Sequence, residues 1–332
     1  VGVEGTLTHL TSSHAADQLS PVSLSPPVRI TVHAPVVVSS AGALQSPALL
    51  LRSGLTHRKI GKHLALHPVI PVIGLYPSHT TDMYRGVGMG VVVYPPSVSS
   101  IPSTLPELES PVETIPCHAG QWAAVCPYSN PLAFRILLLQ FQHAFQTVSI
   151  SRDRSCESNC VSIDRDGDYV VNYEVTAKDA KLILQGICAQ MKLHVAAGAV
   201  SVYCANESYP WYVTSQTEDD HTTPSPALER YLSALVRTGL QKGKNCIYSA
   251  HQMGSCRMSA DPKQGVVQPS GETWEVDGLY VADSSVFPSS LGINPMLTVA
   301  AFGDMIAKNI AIRLGKQKEW EKLSKGESLV TW

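Results

Sequence analysis

Residues 251–258 read HQMGSCRM, which sets His251, Cys256 and two methionines within one short stretch. Three chemistries use these residue types. His251 and Cys256 could ligate a metal, could pair as a thiol nucleophile and its base, or His251 could act on a substrate hydroxyl with Cys256 merely packed beside it. A metal needs more ligands, and no second Cys/His pair stands at a usable spacing, so no metal site is expected. Asp164, Asp166 and Asp168 mimic a calcium loop. However, the glycine falls at the fourth position instead of the sixth, and Val175 stands where a bidentate Glu is required. That segment reads as a hairpin turn. A nucleophilic Cys256 needs a partner that proximity in sequence does not establish, and no protease signature surrounds it.

The alternative is that His251 acts on a substrate hydroxyl. A neutral imidazole at 251 can accept the hydroxyl proton while hydride leaves the adjacent carbon, general-base help worth roughly 10²–10⁴-fold. A cofactor must then take the hydride. A second polar group should fix the alkoxide, and Asn294, 43 residues downstream, is the candidate. Asn294 precedes Pro295 and also reads as a helix cap. The two roles are compatible, because a helix start carries free N–H groups and positive partial charge suited to an anionic cofactor edge or a phosphate.

Elements must carry these residues. VRITV (28–32) alternates like a strand, and VVVSS (36–40) is the continuous apolar kind expected of a buried one. Ser46-Pro47 reads as a cap and first helical position for ALLLRSG, with Gly54 at its end. Such a strand–turn–helix unit belongs to an α/β nucleotide-binding sheet. Residues 1–27 read as polar and irregular. From about 69 to 245 the texture is different: short β-rich runs such as 87–94 alternate with proline-rich loops between 95 and 116. Asn130-Pro131 opens a helix through about 146, and SIDRDGDYVVNYE forms two strands about Asp166-Gly167. Thr176 with Asp179 caps one helix, and Ser225-Pro226 starts another. NCIYSAHQMGSCRM runs from a strand into a turn, GLYVADSSVFP (278–288) is a strand ending in a turn, and 292–314 is a helix. Residues 315–332 read as a charged, frayed tail.

The whole chain has 332 residues, 44% of them apolar, and a formal net charge of −2. That is ample for two domains with cores, and a nucleic-acid binder would show a basic excess. The apolar runs 64–76 and 132–141 are too short and too interrupted to span a membrane, and no signal peptide is visible. Eight scattered cysteines read as reduced thiols. The chain opens on Val1, which reads as mid-protein sequence and makes an incomplete N-terminus the expectation.

AGALQSPALLLRSGL (41–55), GKHLALHP (61–68), HQMGSCRM (251–258) and GLYVADSSVFPSSLGINPM (278–296) together resemble the glucose–methanol–choline (GMC) oxidoreductase family, in the family's order. SAHQMGSCRM with GETWEVDGLYVADSSVFPSSLGINPM is similar to the plant-type long-chain fatty alcohol oxidases within it. The resemblance implies an α/β plus α+β fold: a partial FAD-binding, Rossmann-like domain joined to a substrate-binding domain with an antiparallel sheet. Residues 1–68 and 246–314 would be parts of the FAD domain, 69–245 the substrate domain, and 315–332 the tail.

By the match of motifs, His251 is the catalytic histidine and Asn294 the second catalytic position. Asp283, Ser284, Asn294, Pro295, Met296, Gly42 and Ala43 fall where the family contacts FAD. The implied reaction takes a hydride from a long-chain primary alcohol to the flavin, gives an aldehyde, and lets O2 reoxidise the flavin to H2O2. A sterol, choline or sugar alcohol oxidase, a hydroxynitrile-lyase-like enzyme or a non-catalytic truncated product are the alternatives. The resemblance also implies membrane association, through a segment not present in this sequence. Two departures stand out. The 42–56 signature ends in Thr56 where the family has glycine, and the family's G-x-G-x-x-G pyrophosphate loop is absent. Gly86, Gly88 and Gly90 do not replace it, because no helix follows them. The N-terminal dinucleotide-binding part is thus expected to lie outside this chain.

Overall fold

The computed structural model describes residues 2–7, 28–85, 88–94, 110–126, 128, 130–154, 156–205, 209–214 and 225–326. Gly86, most of the polar segment 1–27 and the proline-rich stretch 95–109 lie outside them. Strands β1 (Gly2–Leu7) and β2 (Val28–His33) form an antiparallel ladder, so part of the segment read as irregular is a strand. Next come β3 (Val37–Ser39), α1 (Gly42–Arg52), β4 (Val72–Leu75), β5 (Val92–Val93), β6 (Val112–Thr114), α2 (Ala119–Val125) and α3 (Pro131–Leu139). They are followed by β7 (Ala144–Ser149), β8 (Cys160–Ile163), β9 (Tyr169–Asn172), α4 (Ala177–Ala196), β10 (Ser201–Cys204) and β11 (Tyr212–Val213). The chain continues through α5 (Pro226–Thr238), β12 (Leu279–Val281), α6 (Met296–Arg313) and α7 (Gln317–Ser324).

The caps read from sequence are largely in place. Asn130, Thr176 and Ser225 each accept a backbone N–H through the side chain at the start of α3, α4 and α5. Asp164 accepts the amides of Asp166 and Asp168 and closes the β8–β9 turn. Three expectations need correction. The helix from Asn130 stops at Leu139, and residues 144–149 pair with β4 and β6 instead of extending it. The polar tail contains α7, which packs on α6 with Lys308 over the Trp320 ring. Residues 245–258 form isolated bridges, Tyr248 to Val69 and Met253 to Ala65, where a strand was expected.

A further correction bears on the site. α1 begins at Gly42, so Ser46 and Pro47 lie inside the helix and Ser46 caps nothing. Pro47 has no N–H for the carbonyl of Ala43, the i−4 acceptor. That carbonyl accepts from the Ser255 hydroxyl at 2.5 Å instead. The proline thus frees a backbone acceptor that ties α1 to the 251–258 segment.

Two apolar cores result. One lies beneath the antiparallel sheet β11-β10-β4-β7-β6-β5, where α4 lays Ile183, Ile187, Met191 and Val195 at four-residue spacing across it. Each such side chain contributes roughly 1.5–3 kcal/mol when fully buried. Gly186 lets α4 approach β7 closely, since a Cβ there would meet the Ser149 side chain. The second core gathers Leu50, Ile60, Met253, Cys256, Tyr280, Val286, Phe287 and Ile306 around the parallel pair β3–β12.

A parallel pair is normally covered on both faces. Here Val38 is 44% exposed, and on α6 only Ile306 is fully buried, while Met296 and Leu297 are 77% and 78% exposed. Much apolar surface of this unit is therefore uncovered among the described residues, as the family resemblance implies.

Gly61 links the two parts of the site: its N–H donates to Ser255 and its carbonyl accepts from Val161. Its φ of +78° suits glycine, and an added Cβ would strike the Val161 carbonyl. Gly61→Ala is expected to lower stability by about 2 kcal/mol or more, read as a fall in the urea midpoint.

Candidate active site

His251 sits on the bridge-forming segment that follows Tyr248. Its N–H donates to the Ser249 hydroxyl, which in turn donates to the Leu66 carbonyl. The imidazole meets a second histidine edge-on: Nδ1 of His251 lies 3.2 Å from Nδ1 of His67, with the rings 88° apart. His67 is fully buried and adopts a positive φ of 50°. A side chain is seldom held there without support, and Asp153 supplies it. This buried carboxylate accepts the amides of Leu66 and His67, the Tyr173 hydroxyl and the Ser290 hydroxyl. On the far side of His67, Nε2 accepts the Gly292 amide at 2.8 Å.

The His67 ring thus ties His251 to the backbone two residues before Asn294. Asn294 does not cap α6, whose N-cap is Pro295. Its Nδ2 donates to the carboxylate of Glu113 on β6 at 2.9 Å, and its Oδ1 is buried without a partner among the described residues. Glu113 is itself buried, and desolvation raises its pKa against the lowering effect of that hydrogen bond. An orphaned buried acceptor is costly and calls for a donor from something that binds there.

The other residues assigned to cofactor contact are joined to one another. Asp283 accepts the Gly42 amide, the Ser46 hydroxyl and the Ser285 amide. Ser284 donates to the Gln252 carbonyl, and Ala43 accepts from Ser255. The Asp283 carboxylate thus locks α1 to the turn after β12, while Ser284 and Ser255 tie both to the 251–258 segment. Pro295 and Met296 begin α6, and the Met296 side chain is open. Cys256 is wholly buried, and burial pushes its thiol well above the usual range, so it is a packing residue and no nucleophile.

His67, Asp153 and Glu113 were missed by sequence reasoning. His67 lies in the quoted GKHLALHP motif, which was the available signal. Asp153 and Glu113 lie in the least patterned part of the chain and had none.

Burial lowers the pKa of His251, and burial together with the neighbouring His251 holds His67 down to about 4. His63 and His194 are likewise lowered to about 4, chiefly by burial. The unfolded chain therefore takes up protons between about pH 6.5 and 4 that the folded one refuses. Stability is expected to be complete above about pH 6.5 and to fall as the pH drops toward 4, seen as a falling Tm in that window.

Sequence profiles of the GMC oxidoreductase family match residues 22–69 and 157–303. A long-chain-alcohol oxidase of Arabidopsis thaliana is 31% identical over 86% of this chain and 38% of its own length. A second from the same plant is 29% identical over 85% of this chain and 37% of its own length. The chain thus spans well under half the length of these relatives.

Among solved structures, a formate oxidase superposes with a TM-score of 0.58 at 15% identity, over 90% of this chain and 58% of its own. Pyridoxine 4-oxidase from Mesorbium loti gives 0.53 at 19% identity, over 84% of this chain and 52% of its own. The chain belongs to the GMC oxidoreductase family and has its α/β flavoenzyme fold.

The cofactor of this family is FAD. The residues present fit one end of it. The first turn of α6 leaves backbone N–H groups free, Met296 and Leu297 present bare apolar surface, and Asn294 Oδ1 lacks a donor. These would receive the polar edge and ring of a flavin. The pyrophosphate loop that would hold its other end is not in this sequence.

Proposed function

We propose that this chain forms the substrate-binding and catalytic part of an FAD-dependent oxidase of long-chain primary alcohols. Residues 69–245 make the substrate domain and 1–68 with 246–314 belong to the flavin domain. The observation carrying this reading is the linked set His251–His67–Gly292 and Asn294–Glu113, which brings an imidazole and an unsatisfied amide oxygen to the start of α6. An imidazole and an amide are what a hydroxyl needs for orientation and for control of its proton.

FAD, when bound, supplies the hydride acceptor and its reoxidation by O2, giving an aldehyde and H2O2 overall. The chain's own residues do the rest. His251 engages the alcohol oxygen, Asn294 holds the hydroxyl beside Glu113, and the α6 start orients the flavin edge. The Arabidopsis relatives favour long-chain substrates among GMC alternatives. Membrane association, which the resemblance implies, would rest on a segment other than the described helices, none of which is long and apolar enough to cross a bilayer.

The test is a chain-length series of primary alcohols given to the full-length protein loaded with FAD. Stoichiometric H2O2 and kcat/KM rising with chain length are expected. A preference for sterol, choline or sugar alcohols overturns the substrate class. Cyanohydrin cleavage without flavin reduction overturns the oxidase reading. A parallel titration of the 332-residue chain with FAD reads whether this part alone retains the cofactor.

A further inference from the structure

The contacts of His67 decide where the protons lie on two imidazoles. A backbone amide can only donate, so the Gly292 N–H aimed at Nε2 of His67 requires that nitrogen to be bare. A neutral imidazole carries one ring proton, and in His67 it must then sit on Nδ1. That atom faces Nδ1 of His251 at 3.2 Å, so His251 accepts there. Neutral His251 in turn keeps its single proton on Nε2, an atom bonded by none of the described residues. Turning the His67 ring over would set carbons against both the Gly292 amide and His251, losing both bonds.

We infer that His67 is a positioning residue which holds His251 as a neutral Nε2–H donor aimed at the substrate oxygen, so that its resting nitrogen is not a bare acceptor. The identity of that oxygen as an alcohol's rests on the function proposed above; the proton positions do not. The arrangement complements a hydroxyl group. His251 offers it a donor, and Asn294 Oδ1 is an acceptor still without a partner.

Protonating His251 would bring two N–H groups head to head across 3.2 Å, so the pair resists an added proton. The groups facing it from other elements act in the same balance: Arg152 opposes a charge on His67 and Asp153 favours it. A neutral histidine used to polarise an oxygen, with its ionised form suppressed by its surroundings, is an attested catalytic device.

The experiment is NMR of the 332-residue chain labelled with 15N at histidine. Expected are a scalar coupling between the two Nδ1 atoms across the hydrogen bond, its proton attached to His67, and His251 protonated on Nε2 alone at neutral pH. In His67→Phe the coupling disappears, His251 populates both tautomers, and it titrates at higher pH. In His251→Ala, which leaves the Gly292 contact untouched, His67 keeps its proton on Nδ1. If His67→Phe fails to fold, the wild-type coupling and the His251→Ala spectrum decide.

A bridging proton attached to His251, a proton on Nε2 of His67, or a His251 titration unchanged in His67→Phe overturns the inference. These readouts need neither flavin nor substrate, so their failure leaves the oxidase reading standing. Equally, a failed chain-length assay leaves the histidine pair as measured.

Discussion

Replacing His251 by alanine in the full-length flavoenzyme is expected to slow flavin reduction under anaerobic conditions by about 10²–10⁴-fold. The side chain reaches the site from a segment fixed by Ser249, Ser284 and Ser255, all of which survive the substitution. If His251 acts on the reacting oxygen alone, KM should change little while kcat falls. Stopped-flow absorbance of the flavin against alcohol concentration separates the two constants. A loss confined to KM would make His251 a binding group only and remove it from the chemistry. The magnitude holds for loss of either a base or a preorganised donor. The resting tautomer tells them apart: a base needs Nε2 bare toward the hydroxyl, whereas a donor carries its proton there.

The largest effect on stability is expected at Asp153. Its two oxygens accept four hydrogen bonds from the 66–67 backbone, Tyr173 and Ser290, drawn from three separated stretches of chain. Asp153→Ala leaves four buried donors without an acceptor, each costing about 1–3 kcal/mol before relaxation. The net loss should be on the order of 3–5 kcal/mol, because neighbouring losses do not add in full. Chemical denaturation at neutral pH measures it. The strained φ of His67 should relax at the same time, so residual folded protein ought to lose the His67–His251 coupling as well. A loss of stability under about 1 kcal/mol would mean that water replaces the carboxylate, and that the cradle contributes little.

The contrast between these residues shows what the sequence could disclose. Asn130, Thr176 and Ser225 were legible because a cap is a local device: acceptor and amide lie within four residues. Asn294 had the same local signature and misled, since its side chain turned to a carboxylate 181 residues away. Pro47 misled similarly, since the hydroxyl of Ser255 relieved the carbonyl that a mid-helix proline strands. His251 could be singled out by residue type and motif, but its proton position depends on an amide 41 residues later and a ring 184 residues earlier. Asp153 sits in an irregular connection and Glu113 on a three-residue strand too short to show a period, so neither periodicity nor turn chemistry marks them. Local rules therefore read the scaffold well and the site only in part, because the site is assembled from contacts distant in sequence.

The parallel pairing of Val38 with Tyr280 also sets a clock. About 240 residues separate the two strands, and a ribosome adding about 5–20 residues per second needs roughly 12–50 s to bridge that interval. Throughout that time β3 and α1 have emerged without their partner, while the six-stranded sheet between them can already close on its own core. Birth order therefore has the six-stranded sheet maturing first and the β3–β12 pair waiting on the last third of the chain. During that wait the nascent apolar strand is a target for chaperones, and a pause in translation before residue 251 would prolong its exposure.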